Sequence, residues 1–177
     1  HQAARCGSVA AHRAPLALDP RQNIDPGGSC SAQGVESPSN VPGGRKSAAT
    51  WVDSSGNLWL FGGRGYDSNG NLGLLNDLWK FDGTNWTVYR QSNSGISSDC
   101  IRSVTIDRFD HAWICTNSGL DYFDGLTWTV YDMSNSGLPV NNISVLTIEN
   151  DSLRWIGTVN GGFVKMQDTA FTVYGHY

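Results

Sequence analysis

Trp86-Thr87-Val88-Tyr89 is the stretch that decides the fold, because the chain writes it three times. It returns as Trp128-Thr129-Val130-Tyr131 and as Phe171-Thr172-Val173-Tyr174, at spacings of 42 and 43 residues. Other words keep the same beat. Ser92-Asn93-Ser94-Gly95 recurs as Ser134-Asn135-Ser136-Gly137, and Ala112-Trp113-Ile114-Cys115-Thr116 recurs as Arg154-Trp155-Ile156-Gly157-Thr158. Between these words lie runs of four to six apolar or β-branched residues bounded by Asn, Asp or Gly, and no stretch carries a helical period. A repeat of this length with four such runs per unit predicts propeller blades.

Working outward, residues 43–95, 96–137 and 138–177 form three units. In the first, Ser47–Val52 and Leu58–Phe61 read as strands joined by the turn Asp53–Asn57. Gly62-Gly63 ends the second strand, and a polar excursion runs from Arg64 to Leu74. Leu78–Phe81 and Trp86–Tyr89 complete that unit. Residues 1–42 stand outside the repeat and are rich in Ala, Gly, Pro and Ser, which predicts an extended N-terminal arm. The expected fold is therefore all-β: about three four-stranded antiparallel blades preceded by the arm.

Composition narrows the function classes. The net charge of −4, with 16% charged residues, does not suit a nucleic-acid surface. No apolar run reaches the ~20 residues of a membrane span. Four cysteines are present, none in a C-x-x-C spacing, which points away from zinc and redox motifs. Of three possible pairings, Cys6–Cys30 with Cys100–Cys115 is favoured. The second bridge would join two antiparallel strands of one blade, provided the register puts both side chains on one face. N-x-S/T sequons at Asn85, Asn142 and Asn150 fit an extracellular setting and make these residues candidate glycosylation sites.

Two families resemble parts of the chain. Val41-Pro42-Gly43-Gly44-Arg45, Gly56-Asn57-Leu58-Trp59-Leu60-Phe61-Gly62-Gly63 and Leu75-Asn76-Asp77-Leu78-Trp79-Lys80-Phe81 resemble a kelch-type propeller repeat across residues 34–90. Residues 96–177 are similar to the propeller repeats of bacterial two-component regulator sensor regions. That likeness rests on Leu138-Pro139-Val140-Asn141-Asn142-Ile143, Trp155-Ile156-Gly157-Thr158 and Gly161-Gly162-Phe163. The second unit departs from it, with Cys115 where the third has Gly157. The resemblance implies four-stranded blades and an exported bacterial protein. It implies no reaction, since such repeats serve as scaffolds and binding surfaces.

No catalytic constellation is legible: no G-x-S-x-G elbow, H-E-x-x-H or P-loop occurs. Asp107, Asp110 and Asp124 sit at turns, where Asp holds its own backbone. The Asp53–Asn57 and Asp67–Asn71 clusters lack the carboxylates and terminal Glu of a calcium loop. An N-terminal His1 would need a second histidine to hold copper, and His12, His111 and His176 have no spacing that supplies it. The repeated tryptophans Trp59, Trp113 and Trp155 read as core, not as sugar platforms; Trp51 is the one the repeat explains least. No cofactor or metal is expected.

Three blades do not close a ring of the usual 4–8, so open apolar faces are expected. The leading reading is a non-catalytic structural protein, secreted or on the cell surface of a bacterium. It would be the protomer of a homo-assembly, filament or ring, with copies of itself as partner. Val9, Leu16 and Leu18 of the arm are the residues expected to join subunits by strand exchange. The second reading is a binding module for glycans or peptides that uses loops such as Arg64–Leu74. Arm packing on its own body is the plainer alternative to exchange.

Overall fold

A computed structural model of the chain describes residues 41–66 and 71–175. Val9, Leu16, Leu18 and the Cys6–Cys30 pairing lie outside the described residues. Every described element is a β-strand, and the strands form three antiparallel sheets. The first holds β1 (Arg45–Lys46), β2 (Ala49–Val52), β3 (Leu58–Tyr66), β4 (Leu72–Phe81) and β5 (Trp86–Tyr89), in the order β1-β3-β4-β5 with β2 also on β3. The second runs β6 (Ile101–Ile106), β7 (Ala112–Thr116), β8 (Leu120–Phe123), β9 (Trp128–Tyr131) in chain order. The third repeats that meander with β10 (Ile143–Ile148), β11 (Leu153–Thr158), β12 (Phe163–Gln167) and β13 (Ala170–Tyr174). Each sheet has the form of a propeller-like blade.

The first sheet departs from the sequence reading. Gly62-Gly63 does not end β3; the strand continues to Tyr66. The pairing slips between Phe61 and Gly63, where Asn76 and Asp77 of β4 bulge against the single Gly62. Gly62 and Gly63 both take positive φ, +63° and +94°, and a Cβ on either would stand 2.9 Å from a backbone oxygen. Only glycine takes that backbone conformation opposite the bulge without a clash. The described ends of the Arg64–Leu74 excursion are accordingly ladder, with Arg64 opposite Leu74 and Tyr66 opposite Leu72.

The sheets stack face to face. Trp59, Phe61 and Leu78 of the first pack with Val104, Ile114 and Phe123 of the second. Trp113, Cys115 and Leu120, on the other face of the second, pack with Leu146, Ile156, Val164 and Met166 of the third. At the inner edges, Ser103 Oγ donates to Ser144 O at 3.2 Å and Thr105 Oγ1 to Leu146 O at 2.9 Å.

The repeated words lock these layers together. In each Ser-Asn-Ser-Gly linker the Asn amide reaches back to the preceding strand: Asn93 Nδ2 to Val88 O at 2.8 Å, Asn135 Nδ2 to Val130 O at 2.9 Å. The second Ser donates to a carbonyl four residues back, Ser94 to Arg90 and Ser136 to Asp132. The glycine lies against the outer strand of the next sheet. A Cβ on Gly95 would come 2.4 Å from Trp128 Cβ, and one on Gly137 2.6 Å from Phe171 Cβ. The linker word and the Trp-Thr-Val-Tyr word thus recur together because they touch.

Cys100 and Cys115 do not form the expected bridge. Cys115 is a free thiol with no solvent exposure. It pairs across the ladder with Ser103, whereas Cys100 precedes β6. Cys100 lies three residues before Ser103, the partner of Cys115, so the register itself keeps the two cysteines apart. Burial pushes the Cys115 thiol up to about 12, which leaves it protonated and unreactive.

Candidate functional site

The hairpins that join the first two strands of each repeat share one device. An acidic residue accepts the indole N–H of the tryptophan six positions on: Asp53 from Trp59 at 2.9 Å, Asp107 from Trp113 at 3.4 Å, Glu149 from Trp155 at 2.7 Å. Asp53 and Asp107 also hold their own turns. Asp53 Oδ1 accepts the Ser55 and Asn57 N–H groups, and Asp107 Oδ1 those of Phe109 and His111. In the third unit the work is divided: Glu149 takes the indole, while Asn150 Oδ1 accepts the Ser152 and Leu153 N–H groups. Burial alone would raise the Asp53 carboxyl, but hydrogen bonds from Trp59 and Asn57 outweigh it and hold it below its ordinary value. Sequence alone places Asp53 and Asp107 at turns but misses Glu149 and the indole contact; the fixed +6 spacing is the available signal.

Between the second and third hairpins lies a cleft of about 230 Å³, lined by Asp107, Arg108, Phe109, Ile148, Glu149, Asn150, Asp151 and Arg154. Its floor is Arg154, 8% exposed, whose guanidinium lies 4.2 Å from the centre of the Trp113 ring. Arg154 Nη2 donates to Asp151 O at 2.9 Å. The exposed Arg108–Asp151 ion pair spans the rim, and Phe109 stands beside it, packed on His111. The cleft thus offers both signs of charge and one aromatic edge, a setting for a polar ligand.

The larger feature is a sheet face. Register aligns Trp59, Trp113 and Trp155 at one position, Leu78, Leu120 and Phe163 at another, and Tyr89, Tyr131 and Tyr174 at a third. In the first two sheets this face is covered by the next sheet. In the third no described sheet follows. Phe163 is 56% exposed and Val145 and Tyr174 about half, against full burial of Leu120. At the opposite end, the outer face of the first sheet shows Val52, 50% exposed.

The glycan candidates separate. Asn85 and Asn150 are exposed, whereas Asn142 is half-buried and its Oδ1 is buried with no partner. Trp51 stacks on Trp59 with ring centres 5.6 Å apart and planes nearly parallel, so it belongs to the core between the first two sheets. Among the described residues no group of three metal-ligating side chains gathers, and no helix is long and apolar enough to cross a membrane.

No family model matches the chain, nor does any curated protein. Among solved structures, the extracellular domain of a hybrid two-component system from B. thetaiotaomicron is similar. The TM-score is 0.51 at 17% identity, over 73% of this chain and 24% of that one. The chain therefore spans about a quarter of the neighbour's length. At this identity the likeness concerns the fold, and it agrees with propeller-like sheets of four antiparallel strands; the kelch likeness of residues 34–90 has no counterpart in these comparisons.

Proposed function

We propose that this chain is a non-catalytic protomer of an extracellular homo-assembly. The uncovered face of the third sheet in one copy takes the outer face of the first sheet in another. The observation that carries the reading is the repeat position shared by Leu78, Leu120 and Phe163, buried twice and exposed once. The counterpart on the same molecule is the outer face of the first sheet, where Val52 is half-exposed although Trp79 is buried. Thr50, Leu60 and Phe81 occupy the positions at which Leu146, Ile156 and Met166 cover the second sheet. A contact between two different faces is heterologous, so copies add head to tail into a ring or a filament. An exposed apolar face of this kind marks an interaction surface. The arm, residues 1–42, strengthens the joint by strand exchange. The extracellular setting is supported by the neighbour and by the sequons at Asn85 and Asn150.

The test is particle mass and shape by light scattering with negative-stain images. We expect rods or rings many times the 19.2 kDa of one chain. Phe163→Glu should reduce them to single chains with an unchanged β spectrum, and removing residues 1–30 should also abolish assembly. A wild-type chain that stays at 19.2 kDa overturns the reading. If the shortened chain assembles normally, the arm has no part in it. The cleft beside Phe109 favours a second reading, a binding module for glycans or peptides, which a glycan array would support.

A further inference from the structure

Among the described residues, three arginine side chains lie deep in the fold, and two have company. Arg45 makes a two-point pair with Asp77, Nη2 to Oδ2 at 2.9 Å, with both side chains at most 4% exposed. Arg154 lies over Trp113 and donates to Asp151 O through Nη2, although its Nε is also buried and unmet. Arg102 is 9% exposed and makes no hydrogen bond or ion pair with any described residue; its Nε is fully buried and unmet. Burial alone pushes its guanidinium below the ordinary range. The acids beside it in sequence are occupied. Asp99 Oδ1 accepts the Gln91 N–H at 2.7 Å, and Asp107 holds its own hairpin.

The local backbone explains how Arg102 comes to stand apart. In β6, Ile101 pairs with Thr116 and Ser103 with Cys115, which leaves Arg102 outside the ladder. The same irregularity in β10 leaves Ser144 between Ile143 and Val145. There the side chain is small and satisfied, Ser144 Oγ donating to Gly157 O at 2.8 Å. One blade thus fills the bulge with a self-contained serine and the other with an unpaired cation. Just before β10, the Asn142 Oδ1 is likewise buried and unmet. Arginine side chains are almost never buried unless paired. A guanidinium presents two parallel N–H groups, the geometry that a carboxylate matches.

We infer that Arg102 is the receptor for a carboxylate carried by a small molecule, at the bulge where β6 begins. The site lies on the inner edge of the second sheet, away from the open face of the third, so it stands or falls independently of assembly. The experiment uses the full chain, labelled with ¹⁵N, titrated with sodium acetate against sodium chloride at equal ionic strength. The Arg102 Nε–Hε resonance, assigned through Arg102→Lys, and the melting midpoint are followed together. Acetate should shift that resonance saturably and raise the midpoint by about 3 °C, and chloride should do neither. Arg102→Met should lose the acetate response. No shift, an equal shift in chloride, or an acetate response retained by Arg102→Met would each overturn the inference. The resonance is read on the unaltered chain, so the outcome does not depend on how well Arg102→Met folds.

Discussion

The second and third sheets are written in nearly the same words and live in different surroundings. β7 is buried at all five positions, whereas its counterpart β11 alternates buried and half-buried residues. β8 is buried at three of four positions, while β12 begins and ends exposed. One repeat sequence thus yields a sheet closed on both faces and a sheet closed on one. Among the described residues the difference lies not in local propensity but in whether a second sheet packs on that face. Ala112-Trp113-Ile114-Cys115-Thr116 reads as a continuous apolar run because both faces are covered. Leu153–Thr158 admits the half-buried Trp155 because one face is not, while Arg154, on the covered face, lies over Trp113.

The sharpest way to break this comparison is to truncate the same position in each sheet. Leu120 is fully buried and Phe163 is 56% exposed, so equal surgery should have unequal effects. Leu120→Ala should destabilise the chain by roughly 2–5 kcal/mol, the range for leucines removed from packed cores. Phe163→Ala should cost under about 1 kcal/mol in single chains. Urea unfolding of dilute protein measures both. Equal losses would mean that the third face is covered in solution by something within the chain itself.

A smaller effect probes the joints between layers. Gly95 and Gly137 occupy one repeat position and lie against Trp128 and Phe171. Neither has a positive φ, so the demand is for space alone. Gly137→Ala places a methyl group where Phe171 Cβ already stands at 2.6 Å, and the outer strand must shift. The expected loss is about 1–3 kcal/mol, visible as a lower urea midpoint. An unchanged midpoint would show that β13, at the open end, gives way freely; Gly95→Ala, against the enclosed β9, then supplies the contrast.

Much of this architecture is legible in the sequence, for a physical reason. Words such as Trp-Thr-Val-Tyr and Ser-Asn-Ser-Gly recur because they meet the same partners in each layer, so period alone exposes the blades. The reading falters where partners are not periodic. Gly62-Gly63 looks like an ending, and only the pairing of Arg64 with Leu74 shows it to lie opposite a bulge. Cys100 and Cys115 look like neighbours across a hairpin, but the ladder sets Ser103, three residues on from Cys100, opposite Cys115. The unpaired state of Arg102 has no sequence signal at all, because it is set by what the surrounding chain fails to supply.

Asp121 gives the finest comparison, since its counterparts are Trp79 in the first sheet and Val164 in the third. Here the middle sheet buries a carboxyl where its neighbours bury apolar groups. Oδ2 accepts the Ser97 N–H at 2.8 Å, which ties down the linker entering the second blade, while Oδ1 is buried and unmet. Burial pushes the carboxyl up to about 6 against an ordinary 3.8, and the bonds from Ser97 pull only partly the other way. The sign follows from proton counting. Between these two values the folded chain holds a proton that the unfolded chain has released, so stability falls as pH rises through this window. Lowering the pH from 7 to 5 should therefore add about 1 kcal/mol through this group. Asp121→Asn keeps an acceptor for Ser97 and cannot ionise, so it should lack that gain and be the more stable form at pH 7. Urea unfolding of both proteins at pH 5, 6 and 7 isolates the effect as the difference between two curves. Parallel curves would mean that water reaches Asp121 and that the middle sheet is less sealed than its burial indicates.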